Sequence, residues 1–287
     1  MTEQDLKSIK IGFIGGGNMA SAIGAGLIRK DILNPDNVWV SSRTDRMHSF
    51  WKNLKAHVTL ENREVISNCD VIFLAVKPLM LDDVLTPLIN IHQNMLCKKF
   101  TNKLIVSVLA GIPLNVLHSK LSVILSSPRI IRCMPNTPMI VGEGITVYSS
   151  DNANADDLKL VDTLFSYIGI SQNVPEDLLN KIGGLSSSGP AFAYLITEAL
   201  ADGAVRMGVP RPLATKFAAQ VLVGAGKMVL ETEQHPGQLK DEVCSPGGTS
   251  ISGIHAMEVG GVRGSMMNAV EAAVNKANEF TAYFKTS

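Results

Sequence analysis

The sequence predicts an α/β chain in which an N-terminal doubly wound sheet is followed by an all-helical C-terminal half. Three observations carry that prediction. Short β-branched runs alternate with helix-compatible stretches through residues 1–175. The first of those runs opens directly into a glycine-rich turn. Around Val174-Pro175-Glu176 the texture changes, and alanine- and glycine-rich helical patterns fill residues 176–287. The domain boundary is therefore placed between residues 175 and 176.

Residues 9–14 (IKIGFI) are the first strand-like run, and Gly15-Gly16-Gly17-Asn18-Met19-Ala20 follows at once, ahead of a helix-like segment to about Lys30. Gly15 permits a tight turn, Gly17 lets the backbone approach a pyrophosphate, and Ala20 lets the helix lie close on the strand. These are the requirements of a Rossmann-like dinucleotide-binding fold. Residues 37–41 (NVWVS) supply the second strand. At its end an NAD site usually places an acidic residue on the ribose 2′-hydroxyl. Here Ser41-Ser42-Arg43 stands in that place, with no acid before Asp45. Small hydroxyls and a guanidinium suit a 2′-phosphate, so NADPH is the favoured cofactor and NADH the second choice. Without a ligand, the same residues read as a polar loop. Residues 70–76 (DVIFLAV) form a near-continuous apolar run, as in a strand covered on both faces, and end in Lys77-Pro78. Residues 104–108 end in Leu109-Ala110-Gly111, residues 129–133 lead into Met134-Pro135-Asn136-Thr137-Pro138, and residues 145–148 are a later strand. Strand ends meeting at one edge are where such a sheet binds its ligand.

In the C-terminal half, residues 183–190 (GGLSSSGP) read as a flexible lead-in, with Pro190 at a helix start. Helices are expected over 191–207, 212–232 and 262–283, with a short one reaching Cys244. Glu198, Asp202 and Arg206 stand four apart as a solvated or ion-paired stripe. The helices are apolar around much of their circumference, which predicts a homodimer or larger homo-oligomer joined through this half. Cys244-Ser245-Pro246-Gly247-Gly248-Thr249-Ser250 then leads into the helix-compatible run 251–258. A helix start carries unpaired N–H groups and partial positive charge, so it suits a small anion such as a carboxylate. Thr249 and Ser250 add uncharged hydroxyls there. The plainer alternative is an ordinary helix start capped by Ser245.

Lys plus Arg and Asp plus Glu number 26 each, so the formal net charge is zero and gives no electrostatic reason to expect nucleic acid or an anionic membrane as partner. Apolar runs are broken by charge or proline before the ~18 residues that a membrane span needs. Cys69, Cys97, Cys133 and Cys244 form no CxxC pair and suggest neither a disulfide framework nor a metal site. The start, MTEQDLKSIK, has two acids and no apolar core. The expectation is a cytoplasmic protein with no metal.

The segments IGFIGGGNMA, FLAVKP, RIIRCMPNTP, GLSSSGPAFAY and HPGQLKDEVCSPGGTSISGIHAME together resemble the pyrroline-5-carboxylate reductase family over nearly the whole chain. The resemblance implies a Rossmann-like domain over 1–175 and a helical substrate-binding and dimerisation domain over 176–287 that interlocks with a partner subunit. It also implies NAD(P)H-dependent reduction of 1-pyrroline-5-carboxylate to L-proline, the last step of proline synthesis. Carried over position by position, Ile14, Gly15, Gly16, Gly17, Asn18 and Met19 hold the pyrophosphate, and Ser42, beside Arg43, lies near the adenosine ribose phosphate. Asn62, Ala75, Val76, Lys77 and Pro78, with Val108, Leu109 and Ala110, line the rest of the cofactor. Glu233, Thr249 and Ser250 meet the substrate, while Ser245, Pro246, Gly247 and Gly248 shape its carboxylate pocket. Many members have Thr where this chain has Ser250, which keeps the hydroxyl without the stiffness of β-branching.

A protonated cyclic imine accepts hydride at its C=N carbon without an enzyme nucleophile, so proximity and orientation are the main demands on the protein. Ser250 is expected to hydrogen-bond the ring nitrogen, and N–H groups from Gly247 onward to hold the carboxylate. His235 and His255 read as helix-capping or packing residues, Lys77 as facing the cofactor, and Cys244 as having no role. A 3-hydroxyacid dehydrogenase would need a lysine on the helix after the serine-rich segment. That helix offers Tyr194 and Glu198, with no lysine before Lys216. A non-catalytic nucleotide- or pyrroline-sensing protein would show a broken site, and Ser250 is the one departure.

Overall fold

The computed structural model describes residues 2–94 and 99–286, so Cys97 lies outside the described residues. The chain divides into two compact units, Met1–Ser187 with Ala273–Ser287, and Ser188–Ala272.

The first unit runs α1 (Glu3–Ser8), β1 (Ile11–Ile14), α2 (Asn18–Arg29), β2 (Val38–Ser41), α3 (His48–Asn53), β3 (His57–Thr59), α4 (Asn62–Asn68), β4 (Val71–Leu74) and α5 (Leu81–Asn94). It continues with β5 (Phe100–Thr101), β6 (Leu104–Ser107), α6 (Leu114–Leu121), β7 (Leu125–Ser126), β8 (Arg129–Met134), β9 (Gly144–Ser149), α7 (Ala155–Ser166), β10 (Gly169–Asn173) and α8 (Glu176–Ser186). The main sheet has the order β10-β9-β8-β6-β4-β1-β2-β3, and β5 pairs with β7 separately. From β3 to β8 every pairing is parallel. β9 runs antiparallel to β8, because residues 135–143 are too short a connection for a crossover back to the starting edge.

Alternation along the strands separates two cores. Phe13, Phe73, Val106 and Ile131 face α2 and α7, while Ile14, Ile72, Ile105 and Ile130 face α5 and α6. This double burial explains the near-continuous apolar strands. The chain moves from β1 to β2 on one side and continues through β4 on the other, so β1 and β4 flank the switch point at which open α/β sheets bind ligands.

One expectation needs correction here. Residues 183–186 are not a flexible lead-in but the last turn of α8. A Cβ on Gly183 would come within 2.3 Å of Met134 Cε, and one on Gly184 within 2.4 Å of Val274 Cγ2. These glycines are there for close packing. By compactness alone the units divide at 187/188, because α8 packs on β8 and β9 and is tied in by Arg132. The Arg132 side chain is 2% exposed; its Nη1 donates to Glu176 Oε1 at 3.0 Å and its Nη2 to Asn180 Oδ1 at 2.9 Å. Asn180 Nδ2 in turn donates to Asn278 Oδ1 and Thr281 Oγ1, which draws the end of the last helix into the same unit.

The second unit contains α9 (Gly189–Arg206), α10 (Arg211–Thr232), α11 (Pro236–Glu242), α12 (Thr249–Val259) and the start of α13 (Val262–Thr286). α9 and α10 meet through the buried alanines Ala201, Ala214 and Ala218. Their large apolar side chains, among them Tyr194, Leu195, Phe217, Val221 and Leu230, remain exposed. α10 is long and apolar enough, by length and composition, to cross a membrane. Lys216 and Lys227 interrupt its apolar run, as the sequence leads one to expect. Within the supposed stripe, Asp202 pairs with Arg211 of α10 at 2.6 Å rather than along its own helix.

Candidate active site

The residues expected to bind a dinucleotide form one row. Gly15 N–H donates to Ser41 O at 3.0 Å, Ala75 N–H to Ile14 O at 2.9 Å, and Val108 N–H to Leu74 O at 3.1 Å. These main-chain bonds extend the parallel ladders past the ends of β2, β1, β4 and β6. Ser42, Gly15, Ala75 and Val108 therefore stand side by side at the C-terminal edge of the sheet. Ile14 and Leu109 are buried in the core, so their side chains are turned away from a ligand at this edge. Val76 and Pro78 are half-buried at the end of β4, whereas Lys77 and Ala110 are exposed.

The glycine turn is held from below and open above. Gly15 has φ +99°, and a Cβ there would lie 2.7 Å from Ala75 O, so the turn admits no side chain. Trp51, fully buried, donates its Nε1–H to Gly16 O at 3.1 Å. A Cβ on Gly17 would meet nothing within 4 Å. Gly17 is the N-cap of α2 and provides no side-chain cap; Asn18 beside it is exposed, while Met19 is half-buried against the core. At the neighbouring strand end Ser41 donates its hydroxyl to Asn62 Oδ1 at 2.7 Å, which fixes Asn62 against β2. Ser42 donates to Thr44 O at 3.1 Å. Arg43 reaches Asp83 at 3.6 Å. Trp51 and the Ser41–Asn62 bond escaped the sequence reading, since a lone tryptophan in a helical stretch carries no spacing signal.

In the second unit, Ser245-Pro246-Gly247-Gly248 closes a tight turn, with Gly248 N–H donating to Ser245 O at 2.9 Å. Proline at the second position and Gly247 at φ +67° make it a type II turn, whose third position requires a left-handed residue. The turn delivers the chain to α12, whose N-cap is Gly248 with no side-chain cap. The alternative of a start capped by Ser245 is thereby corrected: Ser245 contributes its carbonyl to the turn, three residues too early for its hydroxyl to cap. Thr249 and Ser250 occupy the first turn of α12, exposed, and neither hydroxyl makes a hydrogen bond among the described residues. Ser252, by contrast, folds its hydroxyl back onto Gly248 O at 3.0 Å. Glu233 ends α10 in the left-handed conformation, φ +55°.

Other groups are engaged elsewhere. His235 caps α11, its Nδ1 accepting from Gly237 N–H at 3.0 Å. Burial pushes the Cys69 thiol up to about 12 and raises that of Cys133 too, which makes both poor nucleophiles. Among the described residues no group of three His, Cys, Asp or Glu side chains is placed to hold a metal ion. An open cavity of about 620 Å³ between α9 and α10 is lined by Tyr194, Thr197, Glu198, Asp202 and Arg211, but holds none of the residues expected to meet substrate.

Comparison with known proteins covers both units. A family model for pyrroline-5-carboxylate reductase dimerisation matches residues 176–280, and one for NADP oxidoreductase, coenzyme F420-dependent, matches residues 10–111. The chain is 40% identical over 274 residues to pyrroline-5-carboxylate reductase 2 of Homo sapiens, an alignment spanning 94% of this chain and 83% of that protein. It is 41% identical over 279 residues to pyrroline-5-carboxylate reductase of Methanosarcina acetivorans, spanning 96% and 98%. Among solved structures, Plasmodium falciparum pyrroline carboxylate reductase with NADP bound matches with a TM-score of 0.83 at 32% identity, over 96% of this chain and 99% of that one.

Proposed function

This chain belongs to the pyrroline-5-carboxylate reductase family, and from that premise we infer that it reduces 1-pyrroline-5-carboxylate to L-proline with NAD(P)H, the final step of proline biosynthesis. The observation that carries the substrate assignment is the uncapped start of α12, which presents free N–H groups and two unengaged hydroxyls behind a Pro–Gly turn. The free N–H groups at Thr249 and Ser250, at the positive end of the helix dipole, hold the substrate carboxylate. Ser250 hydrogen-bonds the ring nitrogen, Thr249 lies beside it, and Glu233 approaches from the end of α10.

The sheet edge fits a dinucleotide: space lies in front of Gly17, α2 begins uncapped, and the strand ends form a continuous row. Gly15 to Met19 hold the pyrophosphate. Ser42 and Arg43 receive the adenosine ribose, and Arg43 favours NADPH over NADH. Asn62, Ala75 to Pro78 and Val108 to Ala110 line the remainder. When bound, the reduced nicotinamide supplies the hydride. The chain's contribution is to orient two flat rings, neutralise a carboxylate and keep the imine nitrogen hydrogen-bonded.

The working form is a homodimer or larger assembly, in which a second copy covers the apolar side chains left exposed on α9 and α10. Free Cys69, Cys133 and Cys244 suit a reducing compartment, so the enzyme is assigned to the cytoplasm, with neither nucleic acid nor membrane as partner. Purified protein incubated with 1-pyrroline-5-carboxylate and NADPH, then with NADH, tests the activity through the proline formed. Absence of proline with both nucleotides sinks the reading. Oxidation of a 3-hydroxyacid with NADP would replace it.

A further inference from the structure

Arg43 is placed to answer two anions. Its backbone follows β2, yet its guanidinium lies against residues that follow β4: Nη1 is 3.6 Å from Asp83 Oδ2, and Nη2 donates toward Met80 Sδ at 3.6 Å. In the sheet β1 lies between β2 and β4, so this side chain crosses the edge where β1 gives way to the glycine turn. The neighbouring acid, Asp82, is already matched by Lys120 Nζ at 2.6 Å. Asp83 is the acid left facing Arg43. The pairing is loose: 3.6 Å exceeds the range of an N–H···O hydrogen bond, and the two side chains are 62% and 63% exposed. A pair of this kind adds little to stability. Its effect falls instead on any anion that comes to Arg43.

We propose that Asp83 sets how strongly this chain selects NADPH, by competing with the 2′-phosphate for Arg43 and repelling it at the same time. The inference rests on the reading of this edge as the nucleotide site. NADH carries a hydroxyl in place of the phosphate, so it neither competes for the guanidinium nor suffers the repulsion. Asp83 is thus a restraint on selectivity, and removing its charge strengthens the preference that Arg43 creates.

Equilibrium dissociation constants for NADPH and NADH, read from nicotinamide fluorescence on full-length wild type and variants, test this without turnover. Asp83→Asn is expected to tighten NADPH about two- to fivefold at low salt and to shift NADH far less, as fits one exposed charge. The gain shrinks at high salt, where exposed charges are screened. Asp83→Ser, equally uncharged, gives the same shift, which separates charge from any local change in fold. Arg43→Gln weakens NADPH relative to NADH, and in that background the gain from Asp83→Asn is smaller because competition for the guanidinium is gone. An unchanged or reduced NADPH-to-NADH discrimination in both Asp83 variants overturns the proposal while leaving the nucleotide site in place. A wild type that binds neither nucleotide removes the site and the proposal with it.

Discussion

The sheet unit and the helical unit solve the burial problem in opposite ways. In the first, Phe13, Trp51, Phe73 and Phe165 are fully buried, two apolar cores cover both faces of the sheet, and even Arg132 is enclosed by side-chain partners. In the second, the buried cluster is three alanines, while residues as large as Tyr194, Phe217 and Leu230 are exposed. At ~25 cal/mol per Å² of apolar surface removed from water, three alanines are a small return for ordering more than two long helices. The difference teaches that the first unit buries its own apolar surface, while the second leaves a face that the proposed second copy would cover. The dimerisation family model, matched over 176–280, contains the whole of that second unit.

The strongest way to break this contrast is to place a charge on the exposed apolar face. Phe217→Glu would bury an unpaired carboxylate between copies, a penalty of about 3 kcal/mol or more, which is roughly a hundredfold weaker association. Light scattering coupled to gel filtration should find monomers with little activity, while near-ultraviolet circular dichroism of the sheet unit persists. An active monomer would end the argument. The sheet unit should instead yield to changes inside one chain. Arg132→Met leaves Glu176 and Asn180 without their partner and is expected to lower stability by ~2–4 kcal/mol, measured by urea unfolding at two protein concentrations. If the loss vanishes at high concentration, the network belongs to assembly and not to the unit. The mildest test distinguishes site from scaffold. Ser250→Ala removes one hydrogen bond, about 1–3 kcal/mol, and should lower kcat/KM for 1-pyrroline-5-carboxylate roughly ten- to a hundredfold with NADPH affinity nearly unchanged. Ser250→Thr restores the hydroxyl and stays near wild type. Wild-type kinetics in the alanine variant would reduce Ser250 to a helix-start residue.

Much of the sheet edge was legible because strand ends announce themselves. Val71–Leu74 and Leu104–Ser107 are apolar runs that stop at small or cyclic residues, and the glycine turn sits where the first strand ends. β3 and β10 were not legible. His57–Thr59 and Gly169–Asn173 are short, partly exposed edge strands with no alternation to betray them. Gly183 and Gly184 were misread because glycine permits a loop and a close helix contact equally, and Met134 and Val274, which decide between the two, are remote in sequence. The α12 start was placed by its Pro-Gly-Gly signal, but its cap was not. A type II turn shifts the first helical residue to Thr249, and only the φ of Gly247 reveals it. Trp51 shows the general limit, for its partner is a carbonyl, Gly16 O, and sequence does not display carbonyls.

Glu233 carries a consequence of another kind. It closes α10 at φ +55°, where glycine is the residue of least strain and where a side chain with a Cβ costs on the order of 1 kcal/mol. Glycine would also suit the helix end better than an exposed acid at the negative pole of the dipole. Keeping a glutamate there sacrifices stability on two counts at one position. Glu233→Gly should therefore melt higher and work worse, a single substitution that exchanges fitness for robustness. A strained backbone at a residue proposed to meet substrate is the pattern expected where function is held at the expense of the fold, and the melting and kinetic data on this one variant test it.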